Sequence, residues 1–230
     1  MLTVPWFGLS KATMSFCEAL TPGPLAQPAN AISSLAFCVV GLALYRSMKE
    51  RNTLLLFPIS AFLVGITSFL YHASWTFFFQ VWDVGSMFML SCLLISFNAA
   101  RLGYVEPKKL PAFYVGLVAL SIAIMVTIRG HVGEYLFGFE IFVVAVLETL
   151  LARRAAGTDY KPFLQAFGIF LLAYGIWLTD VHRLLCAENN HWLQGHAVWH
   201  VLNAFCFVYL YRFYRQFDLV QSIDAIPVGE

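Results

Sequence analysis

Charge is the scarcest property of this 230-residue chain: Asp, Glu, Lys and Arg make up 12% of it, about half their share in an average soluble domain. Apolar side chains make up 60%, and the mean hydropathy is +0.74. A soluble domain of this length has too little core volume to hide them, which leaves a polytopic membrane protein. An excess of one sign of charge is missing too. The formal net charge is +1 and the pI near 7.7, so there is no global field to attract nucleic acid, and no such partner is expected. No Asn-x-Ser/Thr sequon occurs, and neither a convincing repeat nor a low-complexity linker divides the chain, so residues 1–230 read as one domain. The opening MLTVPWFGLSK lacks a basic leader and a small-residue cleavage pattern, which predicts a retained N-terminus.

Apolar windows long enough to cross about 30 Å of hydrocarbon fall at Ala29–Tyr45, Leu54–His72, Phe78–Asn98, Leu110–Ile128, Val132–Ala152, Pro162–Val181 and Gly195–Phe213. Their continuous apolar faces argue for helices, since barrel strands would alternate over about 10 residues. The predicted architecture is an all-α, seven-transmembrane helix bundle. Eleven of the fourteen basic residues (Arg46, Lys49, Arg51, Arg101, Lys108, Lys109, Arg153, Arg154, Lys161, Arg212, Arg215) gather on one side. Lys11, Arg129 and Arg183 lie on the other. The crowded side is expected to be cytoplasmic, which puts the N-terminal segment (1–28) outside and the tail (214–230) inside.

All six histidines map to the outer half: His72, His131, His182, His191, His196 and His200. In GHAVWH, His196 and His200 are i and i+4, on one helix face. Zinc hydrolases use that spacing to offer two imidazoles to one metal, although an isolated HxxxH is more often a pair of amphipathic interface residues. The segment SFLYHASWTFFFQVWD changes that balance. Ser68 and His72 share a face near the outer end of the second span, and a tight hairpin with its tip near Thr76–Phe77 puts Asp83 at the depth of His72. A hydroxyl, an imidazole and a carboxylate then meet the level of His196 and His200. Three imidazoles and an open fourth position make a catalytic zinc site. Glu134, Glu140 and Glu148 lie along the fifth span; Glu140 is deepest, and reads equally as part of a proton path or as a hydrogen-bonded interhelical acid. Asp180 reads as a helix-end carboxylate, and Asn30, Ser33 and Ser34 as capping or small packing residues. Cys38, Cys92 and Cys206 sit within spans as packing residues. Cys17 and Cys186 both fall outside, where an oxidising compartment permits a disulfide that would clip the N-terminal segment over the sixth–seventh loop.

Ser68-x3-His72, Asp83 eleven residues on, and His196-x3-His200 with Trp199, in an N-out seven-span layout, resemble the alkaline ceramidases. These belong to a superfamily of seven-span zinc hydrolases that includes adiponectin-receptor-like proteins. The resemblance extends to FCE at Phe16–Glu18, NAIS at Asn30–Ser33, Trp177, Asp180 and Cys186. It implies zinc at His72, His196 and His200, Asp83 and Ser68 at the metal, and a Cys17–Cys186 pair. Animal members carry a calcium site around the position of Glu18. Here Ser15, Leu20 and Gln27 occupy the neighbouring positions, which leaves Glu18 as a remnant and puts a calcium requirement in doubt, since calcium takes several carboxylates. The short N-terminus and terse loops suit a bacterial relative better than an animal one.

The implied reaction is hydrolysis of the N-acyl bond of a ceramide-like lipid in the bilayer, with Asp83 as proton carrier and Ser68 as hydrogen-bond donor to the oxyanion. The implied location is the periplasmic side of a bacterial inner membrane, or the equivalent luminal side. Other readings are a receptor or scaffold with a structural zinc, a hydrolase of another lipid amide or ester, and a proton-coupled transporter using Glu140 and Asp83. The receptor branch has the opposite orientation, and transporters usually show repeats or broken helices.

Overall fold

The computed structural model describes residues 9–48, 53–154 and 157–217. Lys49 and Arg51 of the charge count, residues 1–8 of the N-terminal segment and residues 218–230 of the tail lie outside the described residues. Among the described residues seven α-helices run in order: α1 Pro28–Ser47, α2 Leu56–Ser74, α3 Phe77–Arg101, α4 Leu110–Ile128, α5 Val132–Ala152, α6 Lys161–Val181 and α7 Gly195–Tyr214. Short 3-10 turns precede α2 (Thr53–Leu55) and α4 (Pro107–Lys109). Among the described residues there is no β-strand, only an isolated bridge between Lys11 and Thr76. Each helix end falls within three residues of its expected span. Six helices are long and apolar enough to cross a bilayer by length and composition; the seventh, α7, interrupts its apolar run with His196, His200 and Asn203.

Burial is inverted relative to a soluble protein. Val39, Leu120, Phe139 and Leu172 face outward, while Asn98, Glu140, Glu148 and Asp180 are buried. This is what a lipid surround selects, because polar groups there must find partners within the bundle. The α1–α2 pair packs through Gly65: a Cβ at that position would lie 2.5 Å from Cys38 Sγ and 2.8 Å from its backbone nitrogen. Close backbone approach through small residues is how apolar helices associate without a hydrophobic drive. α1 packs on α2 and α7, α6 on α7, and α3 on α2, α4 and α5. α4 sits at the margin and buries only Ser121 and Met125.

Two buried acids fasten the middle and far end of the bundle. Glu140 accepts a hydrogen bond from Ser121 Oγ at 2.6 Å and another from Ser91 Oγ, tying α5 to α4 and α3. Glu148 receives Arg101 at 2.6 Å, Tyr214 at 3.2 Å and Tyr160 at 3.3 Å. Of the two expectations for Glu140, this is the arrangement of an interhelical hydrogen-bonded acid.

At the other end, the N-terminal segment lies across the bundle. The α2–α3 hairpin turns at Trp75, held at φ +52°, one residue before the expected tip. Ser10–Ala12 brace it, through Ala12 N to Trp75 O at 3.2 Å and Phe77 N to Ser10 O at 2.9 Å. Farther on, Gln27 N bonds His72 O at 3.0 Å and Ala19 N bonds Glu188 O at 2.9 Å. The Cys17–Cys186 disulfide clips this segment to the α6–α7 loop.

Candidate metal and catalytic site

His72, on the last turn of α2, and His196 and His200, on the first turns of α7, are all buried and offer ring nitrogens that lie within 4.8 Å of one another. Their backbones are fixed by the caps around them. Asp180, fully buried at the end of α6, accepts from His196 N at 3.0 Å and Cys17 N at 2.9 Å. It thereby satisfies an orphan donor of the first α7 turn.

Hydrogen bonding determines which nitrogen of two rings carries the proton. Gln27 Nε2 donates to the Glu18 carbonyl at 2.9 Å, which turns its Oε1 toward His72 Nδ1 at 2.8 Å. An amide oxygen only accepts, so Nδ1 is protonated and Nε2 of His72 carries a lone pair. Ser33 Oγ gives its proton to the Asn30 carbonyl at 3.0 Å and accepts from His200 Nδ1 at 2.9 Å. The Nε2 of His200 is likewise bare, and Ser68 Oγ donates to it at 3.3 Å. The Nε2 atoms of His72 and His196 are 3.2 Å apart; nitrogens at 2.0–2.1 Å from a tetrahedral zinc would be about 3.4 Å apart. His196 Nδ1 has no partner, and Phe16 stacks on that ring with centroids 3.9 Å apart. Three buried imidazoles with ring nitrogens this close, two of them with Nδ1–H held by an oxygen and Nε2 left to accept, fit a zinc ion.

The other acids divide. Asp83, on α3, lies beside Ser68 and lines a cavity with it, His196 and His200. Glu18 does not join them. Its carboxylate accepts from Ala29 N at 2.8 Å, Asn30 N at 3.0 Å and His191 Nδ1 at 3.1 Å. It caps α1, and a carboxylate met by three N–H donors does not fit calcium, which needs six to eight oxygens. His131 and His182 also stay apart from the trio; burial holds the His131 imidazole below its ordinary value, with His182 adding to the effect.

The cavity opens to its surroundings on one side and, counted with that opening, offers about 990 Å³ of empty space. Its polar end carries Ser68, Asp83, Glu134, His196 and His200, and its far end is formed by Leu94, Phe163 and Leu210. Leu94 is eleven residues beyond Asp83 on α3, which at the helical rise places the apolar end about 16 Å away.

The profile of the ceramidase family matches residues 8–225. The chain belongs to the ceramidase family. This makes it an amide hydrolase, in agreement with the resemblance read from the motifs. Among ceramidase relatives, alkaline ceramidase YPC1 of Saccharomyces cerevisiae is 25% identical over 232 aligned positions, covering 85% of this chain and 73% of the yeast protein. The Dictyostelium discoideum protein dcd3B, provisionally named an alkaline ceramidase, is 27% identical, over 74% of this chain and 66% of its own length.

Of the residues singled out in the sequence, this ceramidase-family fold brings Ser68, His72, Asp83, His196 and His200 together, and joins Cys17 to Cys186. It adds Gln27, which the sequence showed only as a replacement at the calcium-site position, Ser33, expected as a capping or packing residue, and Phe16, noted only as part of FCE. FCE and NAIS were the available signal, because the first contains Phe16, which stacks on His196, and the second contains Ser33, which bonds His200.

Proposed function

We propose that this protein is a zinc-dependent intramembrane hydrolase that cleaves the N-acyl bond of ceramide-like sphingolipids to a sphingoid base and a fatty acid. The carrying observation is the convergence of His72, His196 and His200 at the polar end of a long apolar cavity, beside Asp83 and Ser68. The names of the yeast and Dictyostelium relatives supply the substrate class. In this reading residues 1–230 form one seven-span domain, with the N-terminal segment outside and the tail cytoplasmic. The uneven distribution of basic residues supports that orientation. The reaction then faces the periplasm in a bacterial inner membrane, or the lumen elsewhere.

His72, His196 and His200 hold the zinc, which supplies Lewis acidity for polarising the carbonyl and for lowering the pKa of water toward ~7. Asp83 takes the proton that the attacking water sheds and passes it to the amide nitrogen as the carbon–nitrogen bond breaks. The water oxygen ends on the acyl carbon, and both its hydrogens are accounted for in the acid and the amine. Ser68 donates its O–H to the developing oxyanion, a contribution of up to about 3 kcal/mol in comparable sites. Gln27 and Ser33 hold the Nδ1–H groups and so keep two Nε2 lone pairs aimed inward. Phe16, clipped in place next to Cys17, shields the cluster from water. A cavity with a carboxylate beside the histidines favours this reading over a receptor with structural zinc, whose site would be closed and four-coordinate.

The test is fatty-acid release from a ceramide mixture by the purified protein in detergent. Release should cease on chelation and return with added zinc. Release that survives complete chelation, or none from any ceramide, would contradict the proposal.

A further inference from the structure

Glu134 sits in the first turn of α5, is 7% exposed and lines the same cavity as Asp83 and the histidines. Neither of its carboxyl oxygens has a hydrogen-bond partner on another residue. Buried polar atoms of this kind are costly and uncommon; a carboxyl with both oxygens unpaired on the wall of a polar pocket marks where a ligand's hydrogen-bonding groups go. The backbone places Glu134 there deliberately. A Cβ at Gly133 would come within 2.9 Å of Val84 Cγ1, so glycine lets α5 start hard against α3, one residue past Asp83.

We propose that Glu134 binds the hydroxyl groups of the sphingoid half of the substrate and sets the head-group preference. The inference rests on the ceramide-like reading above. In a ceramide the two hydroxyls sit on the carbons flanking the one that bears nitrogen. With that nitrogen presented to Asp83, the hydroxyls fall on the neighbouring wall, which Glu134 forms. A carboxyl oxygen accepts hydrogen bonds from them, and a site built to bond a hydroxyl rejects the analogue lacking it by large factors.

The experiment compares kcat/KM for ceramide with that for its 1-deoxy and 3-deoxy analogues in wild type, Glu134→Gln and Glu134→Leu, with thermal unfolding of each substrate-free protein. Wild type should prefer ceramide over at least one analogue by about 10²-fold or more. Glu134→Gln should cut that ratio at least tenfold, and Glu134→Leu should bring it close to unity. The Leu variant should also unfold at a higher temperature, since an unpaired buried carboxyl is gone. A wild type that cleaves ceramide and both analogues equally, or a Glu134→Gln enzyme with the full wild-type ratio, overturns the inference and leaves the hydrolase reading standing. A wild type inactive on ceramide and both analogues overturns both.

Discussion

Glu134 and Glu140 lie on one helix, six residues apart, and both are buried, yet they do opposite things. Glu140 has an oxygen for Ser121 and an oxygen for Ser91. Glu134 has nothing on either. The difference separates architecture from function: a satisfied acid fastens helices in a medium that offers no water, whereas an unsatisfied acid at a cavity wall is held ready for a ligand. The same division runs through the histidines. His72 and His200 spend Nδ1 on Gln27 and Ser33 and turn an unprotonated Nε2 toward the cluster.

The comparison breaks most visibly at Asp83. Asp83→Asn keeps the shape but cannot carry a proton, so kcat should fall by about 10²–10⁴-fold while zinc content, measured on the same preparation, stays at the wild-type level. Equal activity in the variant would remove Asp83 from the mechanism. Gln27→Leu comes next: with no acceptor for His72 Nδ1, zinc affinity should weaken by about 10–100-fold, read by competition with a graded chelator. Glu140→Leu sharpens the contrast with the smallest change in chemistry. Turnover should stay within about twofold, and stability in detergent should drop by about 1–3 kcal/mol as Ser91 and Ser121 lose their acceptor. Leucine at 134 should stabilise and leucine at 140 should destabilise; the same sign at both positions would dissolve the distinction.

Much of this was legible in the sequence, for reasons that are themselves physical. Seven apolar windows mapped onto seven helices because a bilayer demands backbone satisfaction along an unbroken stretch. The short hairpin at Trp75 made depth a countable quantity, which is how Asp83 could be set beside His72. Side-chain pairing across helices was not countable. Gln27 meets His72 across 45 residues and Ser33 meets His200 across 167, and no hydropathy period encodes either contact. Depth alone also made Glu140 the most conspicuous acid of α5. The serines that quiet it sit on α3 and α4, and only their packing reveals that the shallower Glu134 is the one left without a partner. Glu18 shows the same limit: its position pointed to a remnant of an ion site, and its contacts make it the cap of α1.

The central claim is that imidazoles from α2 and α7 hold one zinc ion per chain. Elemental analysis of the purified wild type and of His72→Ala, His196→Ala and His200→Ala tests it most directly. The expected result is about one zinc per wild-type chain and a large loss in each of the three variants, with fatty-acid release lost in parallel. Wild-type zinc content and turnover in His196→Ala would contradict it.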